Sequence, residues 1–117
     1  MTVAIKVFTS SVDKLRDELN KKIEDGDIET WEVDQDGDFT HSPEQWRCKA
    51  WIHKPVIPNN EDNQLIFGLV GNKQVSMTKA LYAVYHGRFS EMLLSHFDDI
   101  IEKIEITSQK TEYDYFS

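Results

Sequence analysis

A tyrosine, a histidine and an arginine are neighbours in the segment Tyr85-His86-Gly87-Arg88, and together they could bind or transform a ligand. A phenol and an imidazole exchange protons, and a guanidinium holds a carboxylate or phosphate through its planar fork. Gly87 interrupts a helical run of apolar residues, and glycine weakens the interior of a helix. We therefore expect the helix to break at Gly87 and to aim the three polar side chains into a cleft.

The same segment also fits a kinked helix with no site. In that interpretation Tyr85 is buried in the core, whereas His86 and Arg88 are solvated. Glu91 follows Arg88 at the i,i+3 spacing, so an ordinary surface ion pair is the alternative to ligand binding by Arg88. The two interpretations can be distinguished only by whether the helix breaks or continues at Gly87.

Three aspartates at alternate positions, Asp34, Asp36 and Asp38, could wrap carboxylate oxygens around a calcium ion. The spacing then fails, because the sixth and twelfth positions of a calcium loop would be Phe39 and Gln45 instead of Gly and Glu. The Asp-Gly pair in this segment favours a hairpin turn instead. We expect the three aspartates to form an acidic turn that is available to a basic partner.

The remaining candidates for metal binding and nucleophilic chemistry are weak. No pair of the four histidines has the HExxH spacing, and a single cysteine, Cys48, makes neither a disulfide nor a structural zinc site. The densest ligand group, His96-Phe97-Asp98-Asp99, is typical of a helix end. The chain has no GxSxG, phosphate-loop or dinucleotide motif. We expect no metal and no cofactor.

Trp31 and Trp51 could form an aromatic binding surface if they lie on the same face of a sheet. Exposed indoles on a sheet are typical of binding surfaces. The alternative, which we favour, is a second small core beneath the loop of residues 55–63.

The net charge of −8 excludes some partners and favours others. Residues 13–38 hold 11 acidic and 4 basic side chains, whereas residues 73–97 hold 1 acidic and 3 basic ones. An acidic surface repels phosphates, so we expect no binding to nucleic acid or to anionic lipid. It attracts a basic protein and speeds its encounter, although the charge could serve solubility alone.

These candidates must be positioned by a single α+β domain. Apolar residues 12, 15, 19 and 23 recur at helical spacing, and a second apolar period runs from residue 77 to 97 behind a possible cap at Ser76. Consecutive strands between the helices favour an antiparallel sheet of about five strands in the order β-α-β-β-β-α-β, with both helices mainly on one face. The expected strands are residues 3–9, 28–33, 45–53, 64–70 and 103–107.

We expect the domain to span residues 1–107 and residues 108–117 to form a mobile tail. No secretory signal and no membrane span are visible, and with the lone cysteine this predicts a cytoplasmic protein. The leading hypothesis is a non-enzymatic interaction module, similar in size and charge to immunity proteins or inhibitory adaptors, that binds a basic protein. The alternative is a small-ligand or enzymatic domain with its site at Tyr85, His86 and Arg88.

Overall fold

A computed structural model describes residues 5–57 and 63–106, and these residues confirm the α+β class. The predicted tail at residues 108–117 lies outside them, and the domain boundary at residue 107 remains a prediction. The described elements are two helices and seven strands, namely β1 Ile5–Phe8, α1 Val12–Glu24, β2 Trp31–Val33, β3 Phe39–His41, β4 Ala50–Ile52, β5 Gln64–Phe67, β6 Leu69–Gly71, α2 Lys79–Phe97 and β7 Lys103–Ile106.

The strands form two antiparallel sheets, whereas the sequence predicted one sheet of about five strands. One sheet has the order β5-β1-β7 and the other the order β2-β3-β4-β6. In β1, Ile5 and Val7 are fully buried, as the alternation of the strand predicts. One hydrophobic core contains residues from both sheets and both helices, so the described chain folds around a single centre.

The apolar run at residues 64–70 was predicted as one central strand, and that prediction is wrong. The run divides at Gly68 into β5, which pairs with β1, and β6, which pairs with β4. The carbonyl oxygen of Gly68 accepts a hydrogen bond from the N–H of His53 at 2.8 Å. A continuous apolar run carries no period that would reveal a change of sheet.

The predicted strand at residues 45–53 is also largely wrong, because only Ala50–Ile52 is extended. Residues 44–49 are turns, and the N–H groups of Trp46 and Arg47 both donate to the carbonyl of Pro43. Cys48 has a φ of 62°, which lies in the left-handed region that a strand never uses. We call residues 43–49 the cleft turn, because one wall of the cleft described below belongs to it.

Helix α1 confirms its predicted apolar stripe, since Val12, Leu15, Leu19 and Ile23 are all buried. Helix α2 starts later than predicted. Its cap is Thr78, whose hydroxyl oxygen accepts a hydrogen bond from the N–H of Leu81 at 3.1 Å, instead of Ser76.

The expected break at Gly87 is absent, since α2 runs unbroken from Lys79 to Phe97. Gly87 is exposed, and it is not among the described glycines with positive φ, which are Gly26 and Gly37. Residues on both sides of Gly87, such as Tyr85 and Phe89, stay in phase on one buried stripe. Burial of large side chains at about 1.5–3 kcal/mol each outweighs the cost of about 1 kcal/mol for one helical glycine.

Candidate functional site

Tyr85 is a structural anchor in the core and does not face a cleft. Its side chain is fully buried, and its hydroxyl donates to the carbonyl oxygen of Trp46. The hydroxyl of Thr40 lies 3.0 Å from the same phenol oxygen. Burial raises the pKa of the Tyr85 phenol, so the group stays protonated at neutral pH. Tyr85 therefore fastens the cleft turn to α2, and it is not available as an acid or base.

His86 is also buried, contrary to the expectation that it is solvated or faces a cleft. Its Nδ1 lies 2.8 Å from the carbonyl oxygen of Tyr82, and the two rings stack with centroids 4.0 Å apart. Because a carbonyl only accepts, Nδ1 carries the hydrogen and donates it. His86 is therefore held within its own helix and does not converge with Arg88.

Arg88 is the exposed member of the trio, and it forms the i,i+3 ion pair with Glu91 that the simpler interpretation predicted. Its Nη1 lies 3.4 Å from the Glu91 carboxylate, and more than half of each side chain is exposed. An ion pair this exposed contributes about 0–1 kcal/mol to stability. Both side chains keep enough freedom to contact another molecule.

Arg88 and Glu91 lie at the rim of a cleft of about 370 Å³. Helix α2 forms one wall, and the end of β3 with the cleft turn forms the other. The lining residues are Thr30, Trp31, His41, Pro43, Gln45, Trp46, Arg88, Glu91, Met92, Ser95 and His96. Of the predicted binding residues, only Trp31 and Arg88 line it. Trp46 was not predicted as a site residue, because the alternation of residues 45–53 predicts a strand there.

His41 is the buried titratable side chain of the cleft. It is 6% exposed, and its Nδ1 lies 2.8 Å from the carbonyl oxygen of Thr30. Desolvation lowers the pKa of His41, and the nearby charge of Arg88 lowers it further, against opposing effects of the Thr30 hydrogen bond and Glu91. The ring is therefore neutral at pH 7, with Nδ1 as donor and Nε2 as acceptor.

The two tryptophans do not form the exposed pair that the sequence suggested. Trp31 pairs with His41 across β2 and β3, so the two side chains share a face of the sheet. Phe39 lies two positions from His41 on that same face, and it pairs with Ile52. Trp51 adjoins Ile52 and therefore points to the opposite face, where it is half-buried opposite Val70. The indole of Trp31 instead packs edge-on against Tyr85 and Phe89 in the main core.

The acidic turn has the geometry of an ordinary hairpin. One carboxylate oxygen of Asp34 accepts hydrogen bonds from the N–H groups of Asp36 and Asp38, at 2.9 and 3.0 Å. Asp38 accepts from the N–H of Lys54 at 2.9 Å, and Gly37 adopts a φ of 87°. Two of the three carboxylates are thus occupied in holding the turn, and Asp36 is the exposed one. Whether any of the three binds a partner remains a prediction.

A second group of acidic residues gathers where the two helices end. Glu24, Asp25, Asp27 and Glu29 are all exposed in and after the last turn of α1. The ammonium of Lys22 lies 5.1 Å from the centroid of the Phe97 ring, which links the last turn of α1 to the end of α2. Asp98 and Asp99, also exposed, follow directly. We call these six acidic residues the acidic end.

Comparison of the chain with protein-family models, with curated proteins and with solved structures finds no match. Among the described residues, neither helix combines the length and the apolar composition that a membrane crossing requires.

Proposed function

We propose that this protein is a non-enzymatic interaction module that binds a basic protein partner through the acidic end. The observation that supports the proposal is that two exposed acidic segments, about 70 residues apart in the sequence, adjoin the contact between Lys22 and Phe97. Because like charges repel, a folded chain gains nothing from gathering six exposed carboxylates. A basic partner that neutralises them makes this arrangement favourable.

The last turn of α1 also carries two lysines, Lys21 and Lys22. Lys22 is half-buried with its ammonium over Phe97. The field of several carboxylates adds up over the surface, and it steers a basic protein toward this end.

The enzymatic alternative loses its structural basis. It required a break at Gly87 that aims Tyr85, His86 and Arg88 at one point. The helix is continuous, and the first two side chains are buried in hydrogen bonds of their own. Polar groups that already hold the fold together are poor candidates for proton transfer to a substrate.

The test compares two variants with equal changes of charge. Asp27→Lys with Glu29→Lys alters the acidic end, whereas Asp13→Lys with Glu105→Lys alters two exposed positions elsewhere. The partner is first isolated from the source cell with the unaltered chain, and association is then followed at two salt concentrations. We expect the first variant to slow association by about tenfold or more at low salt, and the control to have a smaller effect. Asp36→Lys tests the hairpin separately.

Equal effects of the two double variants would reduce the role of the acidic end to net charge alone. An association rate that is insensitive to salt would reject electrostatic steering altogether. A partner whose contact surface is acidic or apolar would contradict the proposal outright.

A further inference from the structure

The cleft beside α2 has a chemistry that the acidic end does not use. Its volume of about 370 Å³ falls within the range of small-ligand pockets, which is roughly 300–1,000 Å³. It lies between α2 and the cleft turn, and its rim carries a cation and an anion side by side. A ligand for this site must match both charges as well as the surfaces between them.

The rim offers three different polar groups. Arg88 presents a guanidinium and Glu91 a carboxylate, and the two are 3.4 Å apart at their closest atoms. His41 also lines the cleft, and with its Nδ1 donating to Thr30 it presents Nε2 as an acceptor. His41, Arg88 and Glu91 thus line one and the same cleft.

Apolar side chains stand among the polar groups of the lining. Pro43 and Trp46 contribute the surface of the cleft turn, and Met92 contributes that of α2. Trp46 is only partly buried, so part of this residue is accessible to a ligand. Aromatic and thioether surfaces of this kind hold a flat or branched apolar group.

The charges of the protein favour a zwitterionic ligand over an anionic or a cationic one. A net charge of −8 opposes the approach of an anion, and Arg88 at the rim opposes a cation. A zwitterion has no net charge, and its two ends match Arg88 and Glu91 separately. Its ammonium group also has hydrogens to donate to Nε2 of His41.

We propose that this cleft binds a free α-amino acid with a large apolar side chain. The carboxylate contacts Arg88, the ammonium group contacts Glu91 and His41, and the side chain packs against Trp46 and Met92. This site is separate from the acidic end, so the inference does not rest on the proposed function.

The probe is L-phenylalanine, and three relatives each lack one recognised part. 3-Phenylpropionate lacks the ammonium group, 2-phenylethylamine lacks the carboxylate, and glycine lacks the apolar side chain. Binding is followed by NMR through the indole N–H signals of the three tryptophans in the full chain. Trp46 lines the cleft and reports binding, whereas Trp51 lies on another face and serves as an internal control.

We expect L-phenylalanine to shift the Trp46 signal with a dissociation constant of roughly millimolar order, given its small size and the exposed rim. Each of the three relatives should bind about tenfold more weakly or not at all. Arg88→Gln and Glu91→Gln should each weaken binding to a similar degree, because one charge of the ligand then lacks its partner.

Arg16→Gln and Glu105→Gln are the matched controls, since both residues are surface members of ion pairs outside the cleft. Neither should change the affinity. The proposal is overturned if L-phenylalanine leaves the Trp46 signal unmoved at saturating concentration. It is equally overturned if 3-phenylpropionate or 2-phenylethylamine binds as well as L-phenylalanine, or if the cleft variants and the controls behave alike.

Discussion

Replacement of Gly87 by alanine should stabilise this protein, and the structure gives the size of the effect. Gly87 lies in the interior of α2, on its exposed side, and a methyl group added there meets nothing within 4 Å. The substitution therefore creates no clash, and it removes the entropic cost of a helical glycine. That cost is about 0.5–1 kcal/mol relative to alanine.

The effect is measurable by heat or by urea. An unfolding entropy of about 2.1 cal/mol/K per residue implies that 1 kcal/mol raises the Tm of a chain of 117 residues by about 4 °C. The Gly87→Ala variant should thus melt about 2–4 °C higher than the parent chain. In urea the midpoint should rise without a change in the slope m.

Gly37→Ala is the matched control for this argument. Gly37 has a φ of 87°, where a Cβ is strained, and Lys54 lies 3.6 Å from the added methyl group. That variant should be destabilised by about 1–2 kcal/mol. If Gly87→Ala instead lowers the Tm, then α2 is broken at Gly87 in solution, and the reasoning that removed the enzymatic alternative fails.

Three further predictions concern the core and its polar anchors. Leu19→Ala should lower the free energy of unfolding by about 2–5 kcal/mol, whereas Leu94→Ala, at a position that is 52% exposed, should change it by less than about 0.5 kcal/mol in urea denaturation. Tyr85→Phe should cost about 1–3 kcal/mol, because the carbonyl of Trp46 loses its buried donor, and a stability unchanged within error would contradict this anchoring role. The pKa of His41 is lowered in the folded state, so the unfolded chain binds the proton first as the pH falls. Stability should therefore decrease below about pH 6.5, and His41→Gln should flatten this dependence in melts at pH 5 to 7.

Much of the local structure could be predicted from the sequence, because its causes are local. The stripe of Leu15 and Leu19 in α1 follows from helical spacing, and the burial of Ile5 in β1 follows from alternation. The turn at Asp34 and Gly37 follows from the chemistry of neighbouring residues, since a carboxylate two positions away accepts from the backbone and glycine adopts a positive φ. None of these features needs a partner from elsewhere in the chain.

The cleft could not be predicted, because its walls are assembled by distant contacts. The alternation around Trp46 imitates a strand, and only the fold shows that residues 43–49 turn and that Tyr85 holds this turn through the Trp46 carbonyl. This contact joins residues 39 positions apart, and no local pattern encodes it. The misplacement of Trp46 and the omission of His41 from the site have this same origin.

The continuity of α2 is the feature that the sequence alone could not decide and the tertiary structure did. The sequence contains a local reason to break the helix, which is Gly87, and a weaker repeating reason to continue it, which is the apolar stripe through Tyr85 and Phe89. Only packing in the core decides between them. The burial of each aromatic side chain of the stripe stabilises the fold by more than one helical glycine destabilises it. The residue types along the chain thus determined that a helix would form, and burial against both sheets determined that it would pass unbroken through its weakest position.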